Sequence, residues 1–144
     1  MTKLTVDEII KEVKDETPEM RIIVAGSRNF SDFDFLCSSL DSLISDHPGY
    51  KIVIVSGTAH GADEMGEKYA VMNGFDVAKF PAQWDLYGKR AGFIRNQEML
   101  DYILSDGAFP YLLAFWDGES KGTKHMLSIA AKAGISKKII KFEK

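Results

Sequence analysis

Arg21-Ile22-Ile23-Val24-Ala25-Gly26-Ser27-Arg28 is the stretch that decides the fold. A nearly unbroken apolar run without alternation is what a parallel strand covered on both faces requires. The glycine at its exit permits a tight turn and a close approach by another group. Ser31, just beyond, suits the N-cap of a helix in which Leu36, Leu40, Leu43 and Ile44 recur at helical spacing. Strand, glycine turn, helix start is the arrangement by which α/β proteins aim the unpaired N–H groups of a first helical turn at an anion.

The same order of elements recurs along the chain. Lys51 to Val55 is a second buried strand, followed by Ser56-Gly57-Thr58-Ala59-His60-Gly61-Ala62-Asp63 and a helix with Met65, Tyr69 and Met72 on one side, stopped by Asn73-Gly74. Asp76 to Phe80 is a third strand, closed by Pro81. Residues 82–92 are polar and aromatic together and predict an irregular connection, after which a helix runs from about Phe93 to Leu104 with Met99, Leu100 and Ile103 inward. Tyr111 to Trp116 is a fourth strand, leading into Asp117-Gly118-Glu119-Ser120-Lys121-Gly122-Thr123. Thr123 is expected to cap a helix ending at Gly134, and Lys138 to Phe142 is a short final strand whose flanking lysines suit a sheet edge. Right-handed crossovers turn this alternation into a doubly wound parallel five-stranded sheet of order 3-2-1-4-5 with helices on both faces. That order puts a switch point between the first and fourth strands, and ligands bind there, off the carboxyl ends.

Ahead of this domain, residues 1–19 read as an amphipathic helix and linker. Thr5 and Glu8 have capping-box spacing, and Val6, Ile9, Ile10 and Val13 give one apolar stripe. Residues 20–144 form the main domain. The net charge of −3 argues against a general nucleic-acid binder, which needs a basic face. Cys37 is the single cysteine, so no internal disulfide forms. A lone buried thiol fits a reducing cytoplasm. No apolar run approaches the ~20 residues that span a bilayer, and the amino terminus lacks the basic-then-apolar pattern of a signal sequence.

The three glycine loops carry the candidate chemistry. Gly26 and Ser27 offer close approach, a hydroxyl and an N–H, and Arg28 is a fork for phosphate. Gly57, Thr58 and Gly61 shape the second loop. Asp63 suits either an N-cap or an acceptor for a ribose hydroxyl, and His60 a donor or an exposed loop residue. Gly118, Gly122 and Thr123 head the last helix, where exposed amides, a hydroxyl and the helix dipole favour an anion. This is not a P-loop, because Thr123 precedes Lys124 instead of following a lysine. No carboxylate set for a metal is present, and no metal or cofactor is expected. His125 either faces the cleft or is solvated. Trp84 and Tyr87 either stack on a base or anchor a lid or core.

Taken together, Val24-Ala25-Gly26-Ser27-Arg28, Ser56 through Asp63, Phe80-Pro81-Ala82-Gln83-Trp84-Asp85, Gly88-Lys89-Arg90-Ala91-Gly92 and Ile94-Arg95-Asn96-Gln97-Glu98-Met99-Leu100 resemble the YspA-like branch of the SLOG superfamily over roughly residues 20–142. The resemblance implies a Rossmann-like sheet and a pocket for nucleotides or nucleotide-derived ligands such as ADP-ribose relatives. It adds Lys89, Arg95 and Asn96 to the ligand-binding set. It also implies that relatives form homodimers or higher assemblies. A cousin, the lonely-guy group, hydrolyses nucleoside monophosphates to free base and ribose phosphate. Arg95 and Met99 match its first motif, which makes Arg95 the candidate catalytic residue, and Gly118 and Gly122-Thr123 match its second in outline. Met126 stands where that group has its catalytic glutamate, and a methionine orients no water. Glu98, Asp85 or Glu119 would have to substitute.

The leading expectation is therefore a binding or sensing domain for a nucleotide-derived ligand. The alternatives are an N-glycosidic hydrolase and a protein that handles single-stranded DNA, as one branch of the superfamily does.

Overall fold

Strand β1 (Glu19–Gly26) is the centre of the molecule, and its alternating side chains create two separate cores. Successive residues of a strand point to opposite faces. Ile22 and Val24 therefore face one layer of helices while Ile23 and Ala25 face the other. The computed structural model describes residues 5, 6 and 17–143. The helix expected between Thr5 and Val13 lies, apart from its first two positions, outside the described residues.

Four more strands complete the sheet: β2 (Lys51–Ser56), β3 (Asp76–Lys79), β4 (Phe109–Trp116) and β5 (Ser136–Lys141). All are parallel, in the order β3-β2-β1-β4-β5, the expected topology. Helices α1 (Phe33–Ser45) and α2 (Ala62–Asn73) cover one face through Leu36, Leu40, Tyr69 and Ala70. The other face carries α4 (Ala91–Ile103) and α5 (Lys121–Ala133), which bury Met99, Leu100, Ile103, Met126, Leu127 and Ala130. The two-layer cover explains why β1, β2 and β4 are apolar along nearly their whole length.

Several boundaries differ from the sequence expectation for local reasons. Asp32, not Ser31, caps α1: its carboxylate accepts the Phe35 N–H at 3.0 Å, the third amide of the helix. Ser120, not Thr123, caps α5. The helix opens at Lys121, so Thr123 supplies the N–H that Ser120 Oγ accepts at 3.4 Å. The stretch 82–92 is not irregular. It forms a single turn, α3 (Trp84–Tyr87), then a 3₁₀ turn (Gly88–Arg90) that runs into α4 two residues ahead of Phe93. Met72 is 65% exposed rather than inward, because it lies on the outer side of the last turn of α2. Cys37 is half-buried. The stops at Gly74 and Gly134 are as expected, both glycines being left-handed with φ near 70°.

Candidate functional site

Because β1 pairs with both β2 and β4, the chain leaves it at the centre of the sheet, and the loops after these three strands meet. Gly26 is required by packing: a side chain there would overlap the Phe115 carbonyl of β4 and the Ala62 side chain. Ser27 is almost fully buried and serves the fold. Its N–H donates to Phe115 O at 2.9 Å, and its Oγ accepts the Asp117 N–H at 3.0 Å, which ties the first loop to the third. Gly61, at φ +83°, lies against the carbonyls of Ser27 and Arg28 and so locks the second loop onto the first. Thr58 also takes a positive φ of 64°, which strains a β-branched residue, and its N–H is held by Ser56 Oγ at 3.0 Å.

Within this frame lies a cavity of about 250 Å³. Its walls include Gly26, Arg28, Asp63, Trp84, Lys89, Arg95, Asn96, Gly122 and Thr123, nine of the residues singled out from sequence. A second compartment of about 220 Å³ adjoins it, lined by Gly57, Thr58, His60, Pro81 and Ala82. Arg28, Ala59, Trp84 and Arg95 belong to both. Ser27, Gly61, Tyr87 and Gly118 line neither compartment. Gly118 turns at φ +86° beside the Lys141 side chain, and Tyr87 is exposed on α3.

The residues that sequence reasoning missed are mostly apolar: Ala25, Ala59, Phe93, Met99 and Met126, with Gly92 and Ser120. Their signal was helical spacing. Met99 follows Arg95 by one turn of α4, and Met126 follows Thr123 by one turn of α5. Met126, 1% exposed, thus forms floor where the lonely-guy resemblance implied an acid. Glu98, Asp85 and Glu119 line neither compartment; Glu119 borders a shallow cleft beside Lys141 and Phe142. Among the described residues, Asp63 is the one carboxylate in the walls of the two compartments.

The electrostatics follow from this inventory. Arg95 donates through Nη1 to the Gly57 carbonyl and through Nε to Asn96 Oδ1 at 3.2 Å. A side chain at Gly57 would sit 2.6 Å from Arg95 Nη1 and 2.9 Å from Asp63 Oδ2, so this glycine keeps space for both. Burial lowers the Arg95 pKa, and the Arg28 charge adds to the effect while Asp63 opposes it. Burial pushes Asp63 up to about 6, against the Ala59 N–H, Arg95 and Arg28. Asn96 is buried and donates to Gly122 O at 3.1 Å, which ties α4 to the start of α5; it also meets His125 Nδ1 at 3.1 Å. His125 stacks on Phe93 at 4.3 Å, and burial followed by the Lys132 charge lowers its pKa, favouring the neutral ring.

Most of the polar groups at the third loop are already used. Asp117 Oδ1 accepts from the Glu119 and Ser120 amides at 2.9 and 2.8 Å, and Ser120 takes Thr123 N–H. The amides of Lys121 and Gly122 remain ahead of the first internal bond of α5, which Lys124 donates to Ser120 O. Gly122 lines the cavity, and a Cβ there would meet nothing within 4 Å. Two guanidiniums, Lys89 and a helix start converge on a partly apolar chamber in which Asp63 is the single acid among the described residues.

Comparison with known proteins gives a consistent result. The model of the YspA, cpYpsA-related SLOG family (YAcAr) matches residues 20–87. The Gene 61 protein of Mycobacterium phage D29 is 37% identical over 120 residues, which cover 80% of this chain and 91% of that protein. No solved structure matches the chain. Among the described residues, no helix is long and apolar enough to cross a membrane.

Proposed function

Because the chain belongs to the YspA, cpYpsA-related SLOG family, we propose that its cleft binds or senses a nucleotide or nucleotide-derived ligand. One observation carries the reading: Arg28 and Arg95 face the same space with more positive charge than Asp63 neutralises. Two like charges held together in a cleft are costly unless an anion completes the site. Phosphate would lie on Arg28, Arg95 and the open amide of Gly122, with the α5 dipole behind it. Trp84, 52% exposed at the junction of the compartments, offers a face for a base. The division of the cleft supports the finer form of the proposal, an ADP-ribose-like ligand. Such a molecule has two sugar-bearing halves joined through phosphates, and the arginines stand where the two compartments meet. The single half-buried thiol suits a cytoplasmic setting for it.

A thermal-shift panel of AMP, NAD, ADP-ribose, cyclic nucleotides and GTP tests the reading. At least one of them should raise the melting temperature, with ADP-ribose above AMP. No shift with any of them would defeat the proposal.

The hydrolase reading gains from Asp63, which is buried in the wall near Arg95 with its pKa raised to about 6, within the range a general acid needs. It loses from Met126 on the floor, where no water is oriented. Release of free base from AMP or NAD, followed by chromatography, separates catalysis from binding alone.

A further inference from the structure

We infer that Asp63 is the side chain that reads a sugar hydroxyl of the bound nucleotide, and that it does so as a carboxylate, so that the site selects ribose over sugars lacking the diol. The inference rests on the nucleotide reading of the cleft and deepens it.

The geometry of one carboxylate carries the argument. Asp63 is 6% exposed yet forms part of the 250 Å³ compartment. Its Oδ2 accepts the Ala59 N–H at 3.2 Å. No group among the described residues donates to Oδ1, and no described side-chain oxygen or nitrogen is both fully buried and without a partner. Oδ1 therefore opens into the cavity. A carboxylate oxygen that reaches solvent only through the cavity and has no donor from the protein is placed to accept a ligand O–H.

Charge decides what kind of donor arrives. Phosphate belongs on Arg28 and Arg95, because Asp63 repels it. The donor groups nearest a nucleotide phosphate are the hydroxyls of its own sugar, and a vicinal diol presents two O–H groups to one carboxylate. Arg95 and Arg28 act on Asp63 through space rather than by hydrogen bonds, so neither occupies Oδ1.

Protonation sharpens the test. The charged groups facing Asp63 are Arg95 from α4, Arg28 from the loop after β1, and Glu67 one turn along α2, itself held by Ser56 Oγ at 2.6 Å. Burial, with Glu67 adding to it, outweighs the two arginines and holds Asp63 at about 6. At pH 8 the open oxygen is a full acceptor; at pH 5 the carboxyl is protonated and the preference for a diol fades.

Calorimetric titration with AMP, 2′,3′-dideoxy-AMP and inorganic pyrophosphate at pH 8 and pH 5 decides the matter. The ratio of AMP to dideoxy-AMP affinity is the readout, because phosphate ionisation cancels in it. Wild type should prefer AMP by about tenfold or more at pH 8, the scale of a hydrogen bond to a charged acceptor. That preference should collapse at pH 5, and in Asp63→Asn it should be absent at both pH values while pyrophosphate still binds. Equal affinity for AMP and dideoxy-AMP at pH 8 overturns this inference and leaves the nucleotide reading standing. Binding of pyrophosphate without binding of AMP also overturns it. Failure of all three probes to bind defeats the nucleotide reading and this inference with it.

Discussion

Arg21 and Arg95 are guanidiniums withdrawn from solvent near opposite ends of the sheet, and they are treated in opposite ways. Arg21, 6% exposed, is surrounded by acceptors: Glu19 at 2.9 Å, Asp106 at 3.1 Å, Ser105 Oγ at 2.9 Å and the Tyr102 carbonyl at 2.6 Å. Its guanidinium also lies over the Tyr102 ring at 4.1 Å. Burial pulls its pKa down, but these partners overcome it and the net shift is upward. Arg95 has one carbonyl, one amide oxygen, the Asp63 carboxylate acting through space and a second arginine nearby, and burial still takes its net shift downward. The fold neutralises the first charge with its own groups and leaves the second incomplete. This incomplete charge is the feature on which the proposed anion site rests.

The largest effect expected from this contrast is on stability, and it belongs to Arg21. Arg21→Ala removes the bonds to Glu19, Asp106, Ser105 and Tyr102 and leaves the Glu19 carboxylate without its cation, while the Ser105 hydroxyl and the Tyr102 carbonyl keep each other at 2.7 Å. It should cost about 2–3 kcal/mol in urea unfolding, the scale of lost hydrogen bonds to a charged group, with ligand affinity unchanged at temperatures where the variant is folded. Arg95→Ala should do the reverse. Nucleotide affinity should fall by about 1.5–3 kcal/mol, the scale of a lost charged hydrogen bond, while urea stability moves far less than in the Arg21 variant. If Arg95→Ala destabilises the fold as much as Arg21→Ala does, the two sites are of one kind and the contrast fails.

Asp63 sharpens the same comparison through pH. Its folded pKa, about 6, lies above its ordinary value of 3.8. Between those values the native state holds a proton that the unfolded chain has already lost. The slope of stability against pH is then negative, so the protein weakens as pH rises from about 4 to about 6 and stays weaker above. Asp63→Asn keeps an oxygen for Ala59 N–H and removes the buried charge. It should flatten that pH slope and stabilise the protein at pH 7.5 by about 1–2 kcal/mol in thermal or urea melts. A site that gains stability when its acid is removed is holding that acid for another purpose.

Much of this was readable in the sequence because the physical signals are local. The apolar runs of β1, β2 and β4 need cover on both faces, and the glycines at their exits mark the turns, so the sheet order and the switch point followed. Arg28, Asp63 and Arg95 were visible as charges placed in or beside those turns. What escaped depends on contacts between distant segments. Ser27 looked like a ligand contact, but the amide of Asp117, ninety residues away, claims its hydroxyl. The floor built from Met99 and Met126 looked like ordinary helix core, because periodicity reports that a side chain is inward and not what it borders. Caps shifted by one residue at Asp32 and by three at Ser120, since several Ser, Thr and Asp residues in a row compete and the helix start picks among them by the third amide.

Gly57 is the smallest and most discriminating test of the contrast. Its φ lies outside the left-handed region, so alanine strains no backbone there, and the argument is one of space alone. The added methyl would come within 2.6 Å of Arg95 Nη1 and 2.9 Å of Asp63 Oδ2, so both side-chain ends have to move aside while no backbone atom stands in the way. Global stability should therefore change little. The guanidinium and the carboxylate, however, would be pushed apart from the positions that a phosphate and its sugar need, and nucleotide affinity should fall by about 1 kcal/mol. Isothermal titration beside a urea melt reads both quantities on one preparation. An equal loss in the two would mean that Gly57 spaces the fold. A loss in affinity alone would mean that it spaces the site, and that the incomplete charge on Arg95 is held in register for what binds there.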